Sequence, residues 1–376
     1  MRVLIAGGGT GGHLYPGIAL AHELKRRDPA TQVSFVGTAK GIEARVVPRE
    51  GFELDLIHVM GVKGKSYVKR SIAMGLLPLS VIDAWRVIAR RRPDVVVGVG
   101  GFVSGPVLAL AAVFRYPTLL LEQNAVPGVT NRLLAPLVRA AAVNFEAALA
   151  YFPRTGFVAG NPVRPEFFPA QNEEANDRTN RLRDAAQVLA FGGSQGSHAI
   201  NLAMVEAAPR LAASGIRLAI THQTGERDLD LVRDAYRSAG LEARAEAFIF
   251  QIDREMKHAD LVICRAGATT LAELAASGTP AVLVPLPNAT DDHQRRNAAV
   301  VAAAGAAVVI EERELRTSLA EVLAPLIGDP DRRQRMSAAA RALARPDAAE
   351  RIADRVEQLA LRPGSGQTGE SGRDAR

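Results

Sequence analysis

Val3-Leu-Ile-Ala-Gly-Gly-Gly-Thr-Gly-Gly-His13-Leu-Tyr-Pro16 decides the fold of this chain. Val3 to Ala6 is a short apolar run that stops abruptly at Gly7, Gly8, Gly9, Thr10, Gly11 and Gly12. Beyond His13, Pro16 opens a helical pattern through Ile18, Leu20, Ala21 and Leu24, proline being suited to a first turn where its missing N–H has no partner to lose. The stretch reads as strand, glycine loop and helix N-terminus, a local structure that lets a ligand approach bare backbone and favours anions. Gly7, Gly9 and Gly12 fit G-x-G-x-x-G, which is weak on its own. A dinucleotide-binding unit also needs an acid roughly 20 residues on, at the end of the second strand. Here that strand, Gln32 to Val36, runs into Gly37-Thr38-Ala39-Lys40, and the first acid, Glu43, already belongs to the next helix. A P-loop fails as well, because Val59 stands where Gly64-Lys65-Ser66 would require the first glycine. The chain shows a doubly wound glycine loop with no sign of bound NAD.

The pattern then repeats. Strand candidates Val3–Ala6, Gln32–Val36, Leu54–His58, Val95–Val99, Thr118–Leu121, Ala141–Val143 and Phe157–Val158 alternate with helical stretches, which implies a mostly parallel sheet covered on both faces. Gly160-Asn-Pro-Val-Arg-Pro165 and the polar stretch Gln171–Asp184 interrupt the alternation and mark a boundary with a hinge near Asn161-Pro162. Val188–Phe191 and Gly192-Gly-Ser-Gln-Gly-Ser197 restart it, followed by a helix from about His198 to Ala212. Further strands are expected at Arg217–Thr221, Ala245–Phe248, Leu261–Cys264, Ala281–Val284 and Ala307–Ile310. The expected architecture is α/β: two doubly wound, Rossmann-like domains facing a cleft. They comprise residues 1–160 joined by a C-terminal helix at 346–362, and residues 161–345; the polar segment 363–376 cannot bury enough apolar surface to order itself.

Composition narrows the function. A chain of 376 residues, 48% hydrophobic and 23% charged, is globular and long enough for two cores. One cysteine, Cys264 at the end of an apolar strand, excludes an internal disulfide and suits a reducing compartment. Met1-Arg2 leads directly into a strand, so no signal peptide is expected. Val95 to Phe114 is uncharged but carries Gly98, Gly100, Gly101, Ser104, Gly105 and Pro106, which reads as strand, second glycine loop and a helix beginning near Pro106 rather than a membrane span. The net charge of +6 is uneven. Lys63, Lys65, Lys69, Arg70, Arg86, Arg90, Arg91 and Arg92 oppose the single acid Asp83, around an apolar run of Ile72, Ala73, Met74, Leu76, Leu77, Leu79, Val81, Ile82 and Trp85. Such a mixture suits an anionic membrane surface. Nucleic acid fits less well, since no aromatic stacking platform accompanies the charges.

Ligands of doubly wound sheets bind at the carboxyl ends of the strands. On that rim lie His13, Gly100-Gly-Phe-Val-Ser104-Gly105 and Glu122-Gln-Asn124 in the first half. In the second lie Arg265-Ala-Gly-Ala-Thr-Thr270-Leu-Ala-Glu273 and Pro285 to Gln294. Thr269 or Thr270 is suited to cap a helix whose N-terminus can hold a pyrophosphate. Glu273, read as lying in that helix's first turn, can accept hydrogen bonds from a ribose diol. Asp292-His-Gln294 offers side chains to sugar hydroxyls, and Arg164 beside the hinge can contact phosphates or a base edge. His13 is a candidate general base. No H-x-x-x-H or C-x-x-C spacing points to a metal, and no cofactor is indicated.

Taken together, Gly7-Gly-Gly-Thr-Gly-Gly-His13, Gly100-Gly-Phe-Val-Ser-Gly-Pro106, Glu122-Gln-Asn124, Gly160-Asn-Pro-Val-Arg164, Gly192-Gly-Ser-Gln-Gly196, Arg265 to Glu273 and Asp292-His-Gln294 resemble the MurG family, bacterial peptidoglycan N-acetylglucosaminyltransferases with the two-domain GT-B fold. The resemblance runs from residue 1 to about 361, with the motifs in the family's order. It implies inverting transfer of GlcNAc from UDP-GlcNAc to the C4 hydroxyl of MurNAc in undecaprenyl-pyrophosphoryl-MurNAc-pentapeptide (lipid I), giving lipid II. It implies donor contacts from Arg164, Ser194, Ile249, Ala268, Thr269, Thr270, Leu271, Glu273 and Gln294, with Thr10, Gly11, Gly12 and Asn124 by the donor sugar. Gly101, Phe102, Ser104, Glu122 and Asn124 are the implied acceptor side. Lys69, Arg70, Ile72, Leu76, Leu77, Leu79 and Trp85 are the implied seat on the cytoplasmic face of the plasma membrane, as a peripheral protein. Other cell-wall synthesis and division proteins are implied partners. Phe102 stands where the family often has tyrosine, which removes any hydrogen bond from that ring. Two rival enzymes share the fold, another GT-B transferase with a lipid acceptor, such as a diacylglycerol glycosyltransferase, and a UDP-GlcNAc 2-epimerase. A nucleotide-binding regulatory module would bind the donor without turnover.

Overall fold

In the computed structural model, which describes residues 1–59, 77–169, 185–193 and 195–361, the opening stretch forms β1 (Arg2–Gly7) and passes through the glycine loop into α1 (Gly11–Arg27). The first unit continues with β2 (Gln32–Gly37), α2 (Glu43–Arg49), β3 (Glu53–Leu56), α3 (Leu77–Arg91), β4 (Val95–Gly100), α4 (Gly101–Val113), β5 (Thr118–Glu122), α5 (Val129–Leu134), β6 (Ala140–Val143) and β7 (Gly156–Val158). Its strands are parallel in the order β3-β2-β1-β4-β5-β6-β7. The unit takes in Met1–Gln123, Pro127–Ala159 and the chain from Asp347.

The second unit, Asn124–Val126 and Gly160–Pro346, holds β8 (Ala186–Phe191), α6 (His198–Ala213), β9 (Leu218–Gln223), α7 (Leu229–Ala239), β10 (Glu242–Glu246), α8 (Ile252–His258), β11 (Leu261–Cys264), α9 (Ala268–Ser277), β12 (Ala281–Leu283), α10 (His293–Ala303), β13 (Ala307–Val309), α11 (Glu312–Gly328) and α12 (Pro330–Leu343). Its sheet is again parallel, in the order β10-β9-β8-β11-β12-β13. Two doubly wound units are thus present, as the alternation of strands and helices requires. A last helix, α13 (Ala348–Leu361), belongs to the first unit.

Apolar residues run continuously through the central strands because both faces of each sheet are covered. Alternation along β1 sorts the side chains: Val3 and Ile5 join one cluster with Val95, Val97 and Val99, while Leu4 and Ala6 join the other with Val96. The first cluster is closed by Leu14, Ile18, Ala21 and Leu24 of α1 and by Ile352, Ala353, Val356 and Leu359 of α13. The spacing of the α13 residues makes one apolar stripe. At its edge Arg27 bonds Asp354 at 2.6 Å and Glu357 at 3.2 Å, and its Nε bonds Glu23 at 2.7 Å.

Local boundaries differ from expectation in instructive places. α1 and α4 begin at Gly11 and Gly101, so Pro16 and Pro106 each lie sixth in their helix rather than opening it. Each proline forfeits one ladder bond, but the turn is already formed upstream: the Thr10 carbonyl accepts from the His13 and Leu14 amides, both at 3.2 Å. β10 is Glu242–Glu246 and not Ala245–Phe248. Among the described residues it pairs only with β9 and can therefore be polar, whereas apolar Phe248 and Phe250 lie in the loop beyond it, exposed and stacked edge to face. β3, an edge strand of the first unit's sheet, likewise ends at Leu56, short of the expected His58. α9 starts at Ala268 with extended Gly267 at its N-cap, so neither Thr269 nor Thr270 caps it, and Glu273 sits in the second turn rather than the first. The window Val95–Phe114 is β4 and α4, and among the described residues no helix is long and apolar enough to cross a membrane. Lys69, Arg70, Ile72, Leu76, Ser194, the stretch 171–184 and the tail 363–376 lie outside the described residues.

Ile352 is fully buried between α1 and the sheet. Ile352→Ala is expected to lower the stability of the first unit by about 2–4 kcal/mol, measured by urea unfolding followed through Trp85, the chain's one tryptophan.

Candidate active site

In both units the strand order reverses beside the first strand, and there successive loops diverge to open a crevice at the carboxyl ends. In the first unit the reversal falls between β1 and β4, where Gly7 pairs with Gly100 after a register shift. The loops touch: a Cβ on Gly101, which has φ of 78°, would lie 2.6 Å from the Gly8 carbonyl oxygen. Gly100, with φ of 96°, leaves room for the ring of His13, and a Cβ there would lie 2.6 Å from His13 Nδ1. His13 is the third residue of α1, just beyond Thr10, Gly11 and Gly12.

Gln123, buried just beyond the end of β5, sets the tautomer of that ring. Its Nε2 donates to the Val99 carbonyl at 2.9 Å, so its Oε1 is the end that faces His13 Nδ1, at 3.3 Å. An amide oxygen only accepts. Nδ1 therefore carries the hydrogen, and Nε2 of the neutral ring keeps the lone pair a general base needs. Beside it Glu122 is buried and accepts from Asn131 Nδ2 at 2.7 Å and from the Gly128 amide at 3.3 Å. Ser104 is fully buried and donates to the Gly101 carbonyl at 3.0 Å, which makes it part of the loop's frame. Phe102 is partly exposed, its ring 3.2 Å from where a Gly9 Cβ would stand.

The second unit repeats the arrangement between β8 and β11. The loop after β8 packs against the one after β9, so that a Cβ on Gly196 would lie 1.9 Å from the Thr224 carbonyl oxygen. Gln223, not singled out by sequence, ties two loops together: Nε2 donates to the Gly193 carbonyl at 2.7 Å and Oε1 accepts from the Ile249 amide at 2.8 Å. Arg265 donates to Ser197 Oγ at 2.7 Å and pairs with Glu312 at 2.5 Å. Thr269 Oγ1 accepts from Asn161 Nδ2 at 3.4 Å, which links the hinge motif to α9, while Ala268 and Leu271 are buried. Glu273 is tightly surrounded by protein although its side chain keeps some surface. Desolvation pushes its carboxyl up to about 7, helped by Asp253 and opposed by the positive charge of Arg164. Arg164 lies over the Phe167 ring at 5.1 Å. Gln294 at the head of α10 holds its own loop, accepting from the Leu286 amide at 3.0 Å.

Three further polar residues escaped the sequence reading. Asn297 of α10 is fully buried, accepting from the Ala125 amide at 2.9 Å and donating to Asn124 Oδ1 at 3.1 Å. It fixes the Asn124–Val126 segment within the second unit. His222 accepts from the Tyr236 hydroxyl through Nδ1 at 2.8 Å and donates through Nε2 to Asn201 Oδ1 at 3.1 Å. Asn201 in turn donates to the Thr224 carbonyl and to Asp228, both at 2.8 Å. The signal for His222 was polar side chains at the carboxyl end of a strand, visible as His222-Gln223-Thr224 but without a periodicity to separate them from ordinary loop residues, while Asn201 and Asn297 are single amides within helices. Cys264 is buried, and desolvation raises its thiol, so it is packing rather than chemistry.

Comparison with known proteins agrees with this geometry. Residues 3–143 match the glycosyltransferase family 28 N-terminal domain and residues 187–352 the family 28 C-terminal domain. The chain is 48% identical over 364 residues to the UDP-N-acetylglucosamine--N-acetylmuramyl-(pentapeptide) pyrophosphoryl-undecaprenol N-acetylglucosamine transferase of Anaeromyxobacter dehalogenans, covering 96% of this chain and 94% of the relative. Among solved structures, Acinetobacter baumannii MurG superposes with a TM-score of 0.75 at 29% identity, over 95% of this chain and 99% of that one. A UDP-GlcNAc 2-epimerase from Neisseria meningitidis has a TM-score of 0.67 at 13% identity, over 95% of this chain and 100% of that one; this likeness is one of fold alone.

Burial pulls the folded pKa of His222 from 6.5 down to about 3. The unfolded chain therefore binds this proton first on acidification, so the contribution of the neutral ring is complete above pH 6.5 and is lost as pH falls toward 3. Stability is expected to fall by up to about 1.4 kcal/mol per pH unit in that window from this group. Urea unfolding by circular dichroism at pH 7, 6, 5 and 4 should show a shallower slope in His222→Asn. Identical slopes would remove His222 as the source.

Proposed function

The chain belongs to the MurG family of family 28 glycosyltransferases, and from that premise we propose how its residues divide the reaction between them. It is a UDP-GlcNAc-dependent N-acetylglucosaminyltransferase that moves GlcNAc onto lipid I to form lipid II in peptidoglycan synthesis. The observation that carries this conclusion is 48% identity across nearly the whole of a relative bearing that name. Epimerase neighbours share only the fold.

In this reading the second unit holds UDP-GlcNAc. The N-terminus of α9, Ala268 to Leu271, lies against the diphosphate, where the positive end of the helix dipole favours the charge that grows on the leaving group. Glu273 accepts from the ribose hydroxyls, Ile249 lies along the base, and Arg164, Ser194 and Gln294 complete the donor contacts. The first unit holds the acceptor through Gly101, Phe102 and Glu122, with Ser104 shaping that loop, and Thr10, Gly11, Gly12 and Asn124 lie by the donor sugar. His13 Nε2 takes the proton from the MurNAc O4 hydroxyl as O4 attacks C1 of GlcNAc; the bond from C1 to the diphosphate oxygen breaks, UDP departs, and the anomeric centre inverts. The Nδ1–H to Gln123 bond supports this role by selecting the tautomer of the neutral ring whose lone pair is on Nε2.

The same proposal seats the protein peripherally on the cytoplasmic face of the plasma membrane. α3 buries Ala84, Val87 and Ile88 and exposes Leu79, Val81, Ile82 and Trp85, the last 52% accessible, beside Arg86. Exposed apolar side chains flanked by cations suit an anionic lipid surface. Other cell-wall synthesis and division proteins are further partners in this reading.

Transfer from labelled UDP-GlcNAc to a lipid I analogue with a shortened polyprenyl chain tests the assignment. His13→Ala is expected to lower kcat by about 10²–10⁴-fold while UDP-GlcNAc still binds; an unimpaired variant would remove His13 as base. A Glu273 carboxyl near 7 makes donor binding depend on pH, because only the ionised form accepts from both ribose hydroxyls. Affinity for UDP-GlcNAc, whose diphosphate stays ionised, is expected to weaken by up to about tenfold per pH unit below 7, and to lose that dependence in Glu273→Gln. Calorimetric titration from pH 5.5 to 8.5 decides it, a flat wild-type profile counting against the ribose contact.

A further inference from the structure

We propose that Glu43 is a positioning residue that holds the first glycine loop, and through it the start of α1, in the shape the acceptor reaction requires. Glu43 opens α2 and is completely buried. Its Oε1 accepts from the Thr38 amide at 2.8 Å and from the Thr38 hydroxyl at 2.9 Å, and its Oε2 accepts from the Gly9 amide at 2.9 Å. One carboxylate thus joins the end of β2 to the loop that follows β1. Burying such a group without hydrogen bonds costs several kcal/mol, and here it is retained against three donors.

Glycines make the space for it. A Cβ on Gly8 would stand 2.4 Å from Glu43 Cδ, one on Gly37 2.3 Å from its Cγ, and one on Gly41 2.1 Å from its Oε2. These three glycines, drawn from three different segments, form a cage around a side chain of the protein itself. Where a dinucleotide-binding unit points an acid from the end of its second strand at a ribose, this chain folds a carboxylate from the following helix back into the loop. The Gly9 N–H is thereby committed internally. The loop does not wait for a ligand to give it shape, and Thr10, Gly11, Gly12 and His13 follow it directly into α1. Pre-set geometry of this kind is worth most where two reacting groups must meet within a few tenths of an ångström.

The charge matters as well as the shape. Both oxygens of the carboxylate face donors. In glutamine one of them becomes an NH₂ group, which would meet the Gly9 or the Thr38 N–H head on and release one side of the clamp. The side chain keeps its volume, so the change tests the clamp and spares the packing.

The proposal rests on the reading that residues 10–13 serve the transfer reaction, and the test separates the two. In Glu43→Gln, hydrogen exchange at the Gly9 amide without ligands is expected to accelerate at least tenfold. kcat/KM for the lipid I analogue should fall about 10–100-fold, with the Kd for UDP, which in this reading the second unit holds, within twofold of wild type. Gly41→Ala, which pushes the carboxylate aside without altering any charge, should reproduce the acceptor-side loss if the glutamine variant folds poorly. Unchanged Gly9 exchange with wild-type kinetics would overturn the proposal, as would loss of UDP affinity in equal measure, the mark of general destabilisation. Failure of the unmodified protein to transfer would sink the transferase reading alone, and Gly9 exchange would still decide whether Glu43 holds the loop.

Discussion

Everything at the carboxyl ends of the two sheets depends on how closely backbone can approach backbone there. In the first unit, the loop after β1 and the start of α4 come together with no space for a side chain, Gly101 against the Gly8 carbonyl. In the second, Gly196 and Gly225 press on Thr224 and Gln195 in the same way. A parallel sheet whose order reverses beside its first strand sends neighbouring loops apart. Only glycine lets them leave from a common point and still bring helix N-termini and polar side chains to the rim. A methyl group at these positions would separate the loops by more than hydrogen bonding to a shared ligand tolerates.

Such an arrangement leaves many buried N–H and C=O groups without a strand or helix partner, and buried polar groups must be satisfied. The chain meets this with side chains from neighbouring segments. Glu43 takes the Gly9 amide, Glu122 the Gly128 amide, Asn297 the Ala125 amide, and Asn201 the Thr224 carbonyl. Each of these residues does for a loop what a paired strand does for a sheet. The loops proposed to serve the reaction are therefore held by the protein itself, which is where preorganised catalysis obtains its advantage.

This explains what sequence could and could not reveal. The two sheets were legible because buried parallel strands are continuous apolar runs, and Val95 to Val99 has no other reading beside a glycine loop. Edge strands were not: β10 is Glu-Ala-Arg-Ala-Glu, polar because one side faces solvent, and the apolar Phe248 beyond it drew the end of the strand assignment two residues too far. Helix starts were misplaced because proline normally marks a first turn, whereas Pro16 and Pro106 both lie sixth. His13 and Glu273 stood out by their motifs. Glu43 and Asn297 did not, since a single acid or amide in a helix carries no period, and the Gly9 and Ala125 amides that they bind lie far along the chain.

Two glutamines show how the site stays oriented. Gln123 follows β5 in the first unit and Gln223 ends β9 in the second. Each donates its amide N–H to a neighbouring backbone carbonyl, Val99 at the end of β4 or Gly193 in the loop after β8, and offers its oxygen to a second group, His13 Nδ1 or the Ile249 amide. A primary amide has one donating end and one accepting end. When one end is fixed by a carbonyl, the other can only accept, so each glutamine dictates the polarity of what faces it. On His13 this selects the tautomer with a basic Nε2. At Ile249 it aligns a backbone N–H in the loop assigned to the donor's base. A glutamate in either place would face the carbonyl with a second acceptor and lose that direction, while leucine would keep the volume and abandon it altogether. The amide is therefore the side chain suited to a position where orientation has to be fixed without adding charge.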